Sequence, residues 1–103
     1  MNTTPKSSAM AETGQQTISI TVSGKVQGVY YRQSTRERAV ELGITGTVQN
    51  LRNGSVHIIA TGTKEQLDEL TNWCSKGPVR AVIENIEVKE LPLQPFERFS
   101  IER

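Results

Sequence analysis

A single cysteine, Cys74, and a single histidine, His57, are all that this 103-residue chain offers of two side chains that do much metal and nucleophilic chemistry. No intrachain disulfide can form, and zinc sites built on paired cysteines or histidines are excluded. A lone thiol fits a reducing cytoplasm. Net charge is also small, because 12 Lys and Arg stand against 11 Asp and Glu and leave +1. No strong field steers such a chain toward nucleic acid or a charged membrane surface. No apolar run is long enough to cross a bilayer. Ala9-Met10-Ala11 is too short for the apolar region of a secretory signal. The length supports one modest core and therefore one domain.

What is present is strong local patterning. Residues 1–15 are polar and aperiodic and are expected to form a disordered tail. Ile18, Ile20 and Val22 then alternate with Thr17, Ser19, Thr21 and Ser23, the pattern of a half-buried strand with an open polar face. Tyr31–Leu42 reads as a helix with Tyr31, Thr35, Ala39 and Leu42 on its inner face. Gly43 and Gly46 end it and lead into a strand that closes at Asn50. Asn53-Gly54 signals a hairpin, and Val56–Thr61 is the returning strand. Lys64–Ser75 is a second helix, capped by Thr63 and stopped by Gly77-Pro78, with Leu67, Leu70, Thr71 and Cys74 turned inward. Trp73 is expected to pack under the Gly77-Pro78 loop.

A strand over Ala81–Glu90 changes apolar parity between Ile83 and Ile86, which places a bulge near Glu84 or Asn85. Pro92 and Pro95 bracket a turn before a last short strand at Phe96–Glu102. The order is β-α-β-β-α-β. It predicts an α+β, ferredoxin-like sandwich, an antiparallel sheet with both helices on one face.

The segment with chemical content is Gly24-Lys25-Val26-Gln27-Gly28-Val29-Tyr30-Tyr31-Arg32, a glycine-bracketed strand-to-helix turn. Such a turn gathers backbone N–H groups into a concavity, and the helix adds its unpaired N–H groups and the positive end of its dipole. Arg32 places a guanidinium fork beside the same spot. The nucleotide pattern G-x-x-x-x-G-K-[ST] is not met, since only three residues separate Gly24 from Gly28. The dinucleotide pattern G-x-G-x-x-G is absent too. The loop suits a phosphate-sized anion rather than ATP or NAD. On its own it is more often the mark of a connection that needs positive φ, with Arg32 a solvated helix residue.

This segment resembles the phosphate-binding signature of the acylphosphatase family. The resemblance continues through residues 39–50, 53–56, 73–78 and 81–88 to Phe99-Ser100-Ile101, in order, and covers residues 16–103. It implies a metal-free, cofactor-free enzyme that hydrolyses an acyl phosphate to a carboxylate and phosphate. Arg32 would bind the phosphoryl oxygens and Asn50 would position the attacking water. Gln27, Gly28, Val29, Tyr30 and Tyr31 would offer backbone N–H donors. Tyr30-Tyr31 stands where phenylalanines are frequent in the family, Thr47 replaces a frequent tryptophan, and Gln49 a frequent arginine.

Three rivals follow from the same residues. The cradle could bind phosphate without turnover. It could serve as a carbamoyl-phosphate-handling domain of a larger maturation protein, although no further domain is attached within these residues. An RNA-binding ferredoxin-like domain would need exposed aromatics on its central strands, where the first strand carries Thr17, Ser19 and Thr21. The favoured reading is a cytoplasmic monomer acting on a small acyl phosphate, with no nucleic-acid or membrane partner. Val56-His57-Ile58-Ile59-Ala60 is β-prone and nearly uncharged, an aggregation hazard if exposed.

Overall fold

The structure, a computed structural model, describes residues 14–102. The expected tail lies outside these residues except at its end, where Gln15 already belongs to the first strand. The elements are β1 (Gln15–Lys25), α1 (Tyr31–Leu42), β2 (Thr45–Asn50), β3 (Val56–Thr63), α2 (Lys64–Cys74), β4 (Val82–Leu91) and β5 (Phe99–Glu102). The sheet runs β4-β1-β3-β2-β5. Ile18, Ile20 and Val22 of β1, Val56, Ile58 and Ala60 of β3, and Val48 of β2 form one buried face. Against it lie Tyr31 and Ala39 from α1 and Leu67, Leu70 and Cys74 from α2. Strand alternation and helical spacing thus supply the two halves of one core.

The helix ends follow local chemistry. Gly43 closes α1, with its N–H on Val40 O at 3.1 Å and Ile44 N–H on Ala39 O at 2.9 Å, the paired bonds of a Schellman turn. Thr63 caps α2 as expected: Thr63 Oγ1 accepts from Gln66 N–H at 3.1 Å. Gln66 Oε1 accepts from Thr63 N–H in return at 2.8 Å, which completes a capping box. Trp73 stands beside the Gly77-Pro78 loop, sharing a surface hollow with Pro78. The ring beneath Gly77 is that of Tyr31, and Trp73 lies tilted beside it with centroids 5.5 Å apart.

Two further expectations are corrected. The sheet is mixed rather than antiparallel, because β5 pairs parallel to β2. β4 ends at the same end of the sheet at which β2 begins. Crossing to the far edge spans four strand spacings, roughly 19 Å. The seven residues Pro92–Arg98 reach about 23–25 Å when extended, so they can cross but cannot also reverse. The last strand consequently starts at Phe99, not residue 96, and runs alongside β2.

That crossing also changes the polar face. Thr17 and Ser19 are buried, not solvated. Thr17 Oγ1 accepts from Gln94 N–H at 2.8 Å, and Thr61 Oγ1 donates to Gln94 O at 2.7 Å. The two hydroxyls meet at 2.7 Å. The start of a row read as open is therefore covered by the crossing segment, where the Thr17 and Thr61 hydroxyls are paired with the Gln94 backbone. The parity break does mark a bulge: Ser23 faces Asn85 and Gly24 faces Ile83, so Glu84 is the extra residue.

Candidate active site

β1, β2 and β5 all finish at one end of the sheet, and α1 begins there. This is where the loop after β1, the last residue of β2 and the end of β5 converge. A cavity of about 340 Å³ opens at this end, lined by Val26, Gly28, Tyr30, Tyr31, Arg32, Gln33, Asn50 and Ile101. Residues from three distant parts of the chain share one wall.

The loop is built for close backbone approach. Gly28 sits at φ 75, and a Cβ there would meet nothing within 4 Å, so the glycine serves conformation and not packing. Tyr30 takes φ 66 at the N-cap of α1, the one non-glycine residue with positive φ among the described residues. No side chain caps α1 and no acidic residue stands in its first turn. By helix geometry the first-turn N–H groups lack intrahelical acceptors, and the dipole favours an anion in front of them. Strain of this kind persists where surrounding structure holds it for a purpose.

Arg32 leaves α1 on its second residue and lines the cavity. Its Nη1 donates to Glu102 O at 3.3 Å, a contact with the end of β5 that leaves most of the fork's donors for a ligand. Asn50 pairs with Val56 at the last register position of β2, on the helix-covered side. Its Oδ1 is buried and accepts no hydrogen bond. An unpaired buried acceptor costs about 1–3 kcal/mol. A half-turn about its terminal torsion exchanges oxygen and nitrogen with little change in shape.

Of the remaining expected cradle residues, Val29 is buried in the core and Gln27 and Val29 do not line the cavity. Gln27 has a role that sequence reading missed. Its side-chain Nε2 donates to Leu51 O at 2.8 Å and to Ser55 O at 2.8 Å. Leu51 directly follows Asn50, and Leu51 N–H donates to Ser55 O at 2.8 Å, closing the hairpin loop. Gln27 therefore ties the cradle loop to the loop that carries Asn50. Only its place between two glycine-loop residues hinted at this.

The remaining titratable side chains singled out by the sequence lie on the far sheet face or in the core. His57 lies on the sheet face away from the helices, its Nδ1 3.0 Å from Thr21 Oγ1. Burial pushes the Cys74 thiol up to about 12, and its neighbour Tyr31 is pushed up as well by the same desolvation. The Tyr31 hydroxyl donates to Cys74 O at 2.7 Å, which fixes the ring from inside the core. No group of three or more His, Cys, Asp or Glu able to hold a metal ion stands together among the described residues. No helix among them is long and apolar enough to cross a membrane.

The family model described as Acylphosphatase matches residues 18–101. The chain belongs to the acylphosphatase family. It is 55% identical over 79 residues to an acylphosphatase of Marinobacter nauticus, covering 76% of this chain and 86% of the relative. The acylphosphatase structure from Coxiella burnetii superposes with a TM-score of 0.85 at 38% identity, covering 88% of this chain and 96% of that one. That from Bacillus subtilis gives 0.82 at 31% identity, covering 84% and 98%. The family match spans all seven elements, so the α+β sandwich and the enzyme class stand together: a hydrolase of acyl phosphates.

Proposed function

We propose that the chain cleaves the carboxyl–phosphate bond of an acyl phosphate by direct attack of an oriented water, with Arg32 and Asn50 as the catalytic residues. The observation that carries this reading is the shared cavity: Arg32 from α1, Asn50 from the end of β2 and the loop around Gly28 border one space. Phosphoryl transfer spreads negative charge over the equatorial oxygens. Loop and helix N–H groups of Gly28, Tyr30 and Tyr31 and the Arg32 guanidinium would meet that charge with little reorganisation. Asn50, with its amide oxygen turned to the cavity, accepts from water and orients it in line.

The leaving group is a carboxylate, stable at neutral pH, so departure requires no general acid. The absence of histidine and acidic side chains from the cavity lining is then no obstacle. A simple alkyl phosphate, which leaves as an alkoxide, would be a poor substrate. We further infer a monomer in the cytoplasm. The outer edge strand β4 carries Glu84, Glu87, Lys89 and Glu90, and β5 is only four residues long, both of which discourage edge pairing. The one cysteine is buried.

Hydrolysis of benzoyl phosphate in EDTA tests the mechanism. Wild type should turn over, while Arg32→Ala and Asn50→Ala should each lose roughly 100-fold or more in kcat with the fold intact by circular dichroism. Phosphate binding by wild type without turnover would leave an anion-binding module.

A further inference from the structure

The cavity is lined by the cradle residues and by one large ring that faces solvent. That ring is Tyr30, which is 79% exposed. Its neighbour Tyr31 is buried in the core, so the two adjacent rings have opposite fates. The difference follows from the left-handed backbone at Tyr30, which sets its side chain off the helical face that Tyr31 uses. A solvent-facing ring beside a phosphate cradle is a flat apolar wall, and among the described residues Tyr30 stacks on no other ring. Ile101 and Val26 add apolar surface to the same cavity.

Charge sharpens the point. Arg32 is the one charged side chain lining the cavity among the described residues, and the phosphoryl group claims it. A carboxylate on the acyl chain finds no second cation there, and an ammonium finds no anion. Gln33, the other polar side chain in the lining besides Arg32 and Asn50 and the tyrosines, is uncharged, so neither ion gains a salt bridge that an uncharged acyl group lacks.

We propose that Tyr30 is a specificity-determining residue that selects acyl phosphates with an uncharged, flat, apolar acyl group. The inference rests on the hydrolytic reading of the same site and adds the substrate class. Ring-on-ring contact is worth about 0.5–1.5 kcal/mol beyond burial, roughly a 3–10-fold effect on selectivity.

The test compares kcat/KM for benzoyl, acetyl and succinyl phosphate in wild type, Tyr30→Phe and Tyr30→Asn. Asparagine tolerates the left-handed conformation, so that variant keeps the loop's backbone. Any general damage to the cradle is common to all three substrates and cancels in their ratios. The benzoyl-to-acetyl ratio should fall roughly 3–10-fold in Tyr30→Asn and stay within about twofold of wild type in Tyr30→Phe, which keeps the ring. Wild type should prefer benzoyl to succinyl phosphate. An unchanged ratio in Tyr30→Asn, or a wild-type preference for succinyl phosphate, would overturn the assignment while leaving the hydrolytic reading intact. If wild type turned over none of the three, the hydrolytic reading itself would fail and this inference with it.

Discussion

Gln27 shows how a residue outside the cavity can set its geometry. Both of its side-chain hydrogens go to carbonyls of the 51–55 loop, so the spacing between cradle and Asn50 passes through one amide. Gln27→Ala should lower kcat roughly 10-fold while inorganic phosphate still binds. In an Asn50→Ala background the same change should have little further effect on kcat. Additive losses in that double-mutant cycle would mean that Gln27 acts independently of Asn50.

Cys74 gives a second residue-scale consequence, in pH. Its folded value lies near 12 against an ordinary 9.0, because burial disfavours the thiolate. A raised value means the folded state holds its proton longer. The thiol's contribution to stability is thus complete below about 9 and is lost as pH rises toward about 12. Urea midpoints followed from about pH 7 to about pH 11 should drop in the upper part of the range. Cys74→Ala should flatten the drop; parallel curves would place the effect elsewhere, with Tyr31 the next group to examine.

At the scale of elements, β1 and β4 show why an irregularity can be required. Gly24 sits at φ 124 opposite the Glu84 bulge, and an added Cβ would stand 2.2 Å from Val82 O and 2.8 Å from Glu84 N. Both obstacles are backbone and cannot swing aside. Gly24→Ala should cost about 2–3 kcal/mol in urea unfolding, well above the value for a solvent-exposed strand site. A loss under about 0.5 kcal/mol would show that β4 shifts freely along β1. The bulge and the glycine thus form one device, which shifts the β1–β4 register for the last two pairs, Gly24 with Ile83 and Lys25 with Val82, before the cradle loop.

For the whole molecule, the hazard segment Val56–Ala60 is not at an edge. β3 is flanked by β1 and β2, and its buried side lies under the helices. The segment is exposed only when the sheet opens. Ile59 is half-buried on the face away from the helices, across from Ser19 and Thr47, so a lysine there meets no apolar core. Ile59→Lys should slow aggregation from partly unfolded states, read as a longer thioflavin lag time, with little change in native activity. An unchanged lag would shift attention to another strand.

Element identity, both helix caps and the hairpin at Asn53-Gly54 were legible in the chain, because each rests on contacts within a few residues; the bulge near Glu84 was legible because it shifts the apolar parity of its own strand. The family signature pointed to Arg32 and Asn50 together, and the fold brings both to one cavity. The direction of β5 was not legible. It depends on where β4 ends and how far seven residues reach, quantities that exist only once the sheet is assembled. The same crossing segment holds Thr17, and Thr17 and Ser19 are both buried although their alternation with Ile18 and Ile20 reads as solvent-facing in one dimension. The Gln27 bridge and the separate fates of Tyr30 and Tyr31 likewise required three dimensions. Local patterning specifies which residues form strands and helices; side-chain partners 24 and 28 residues away are decided only by packing.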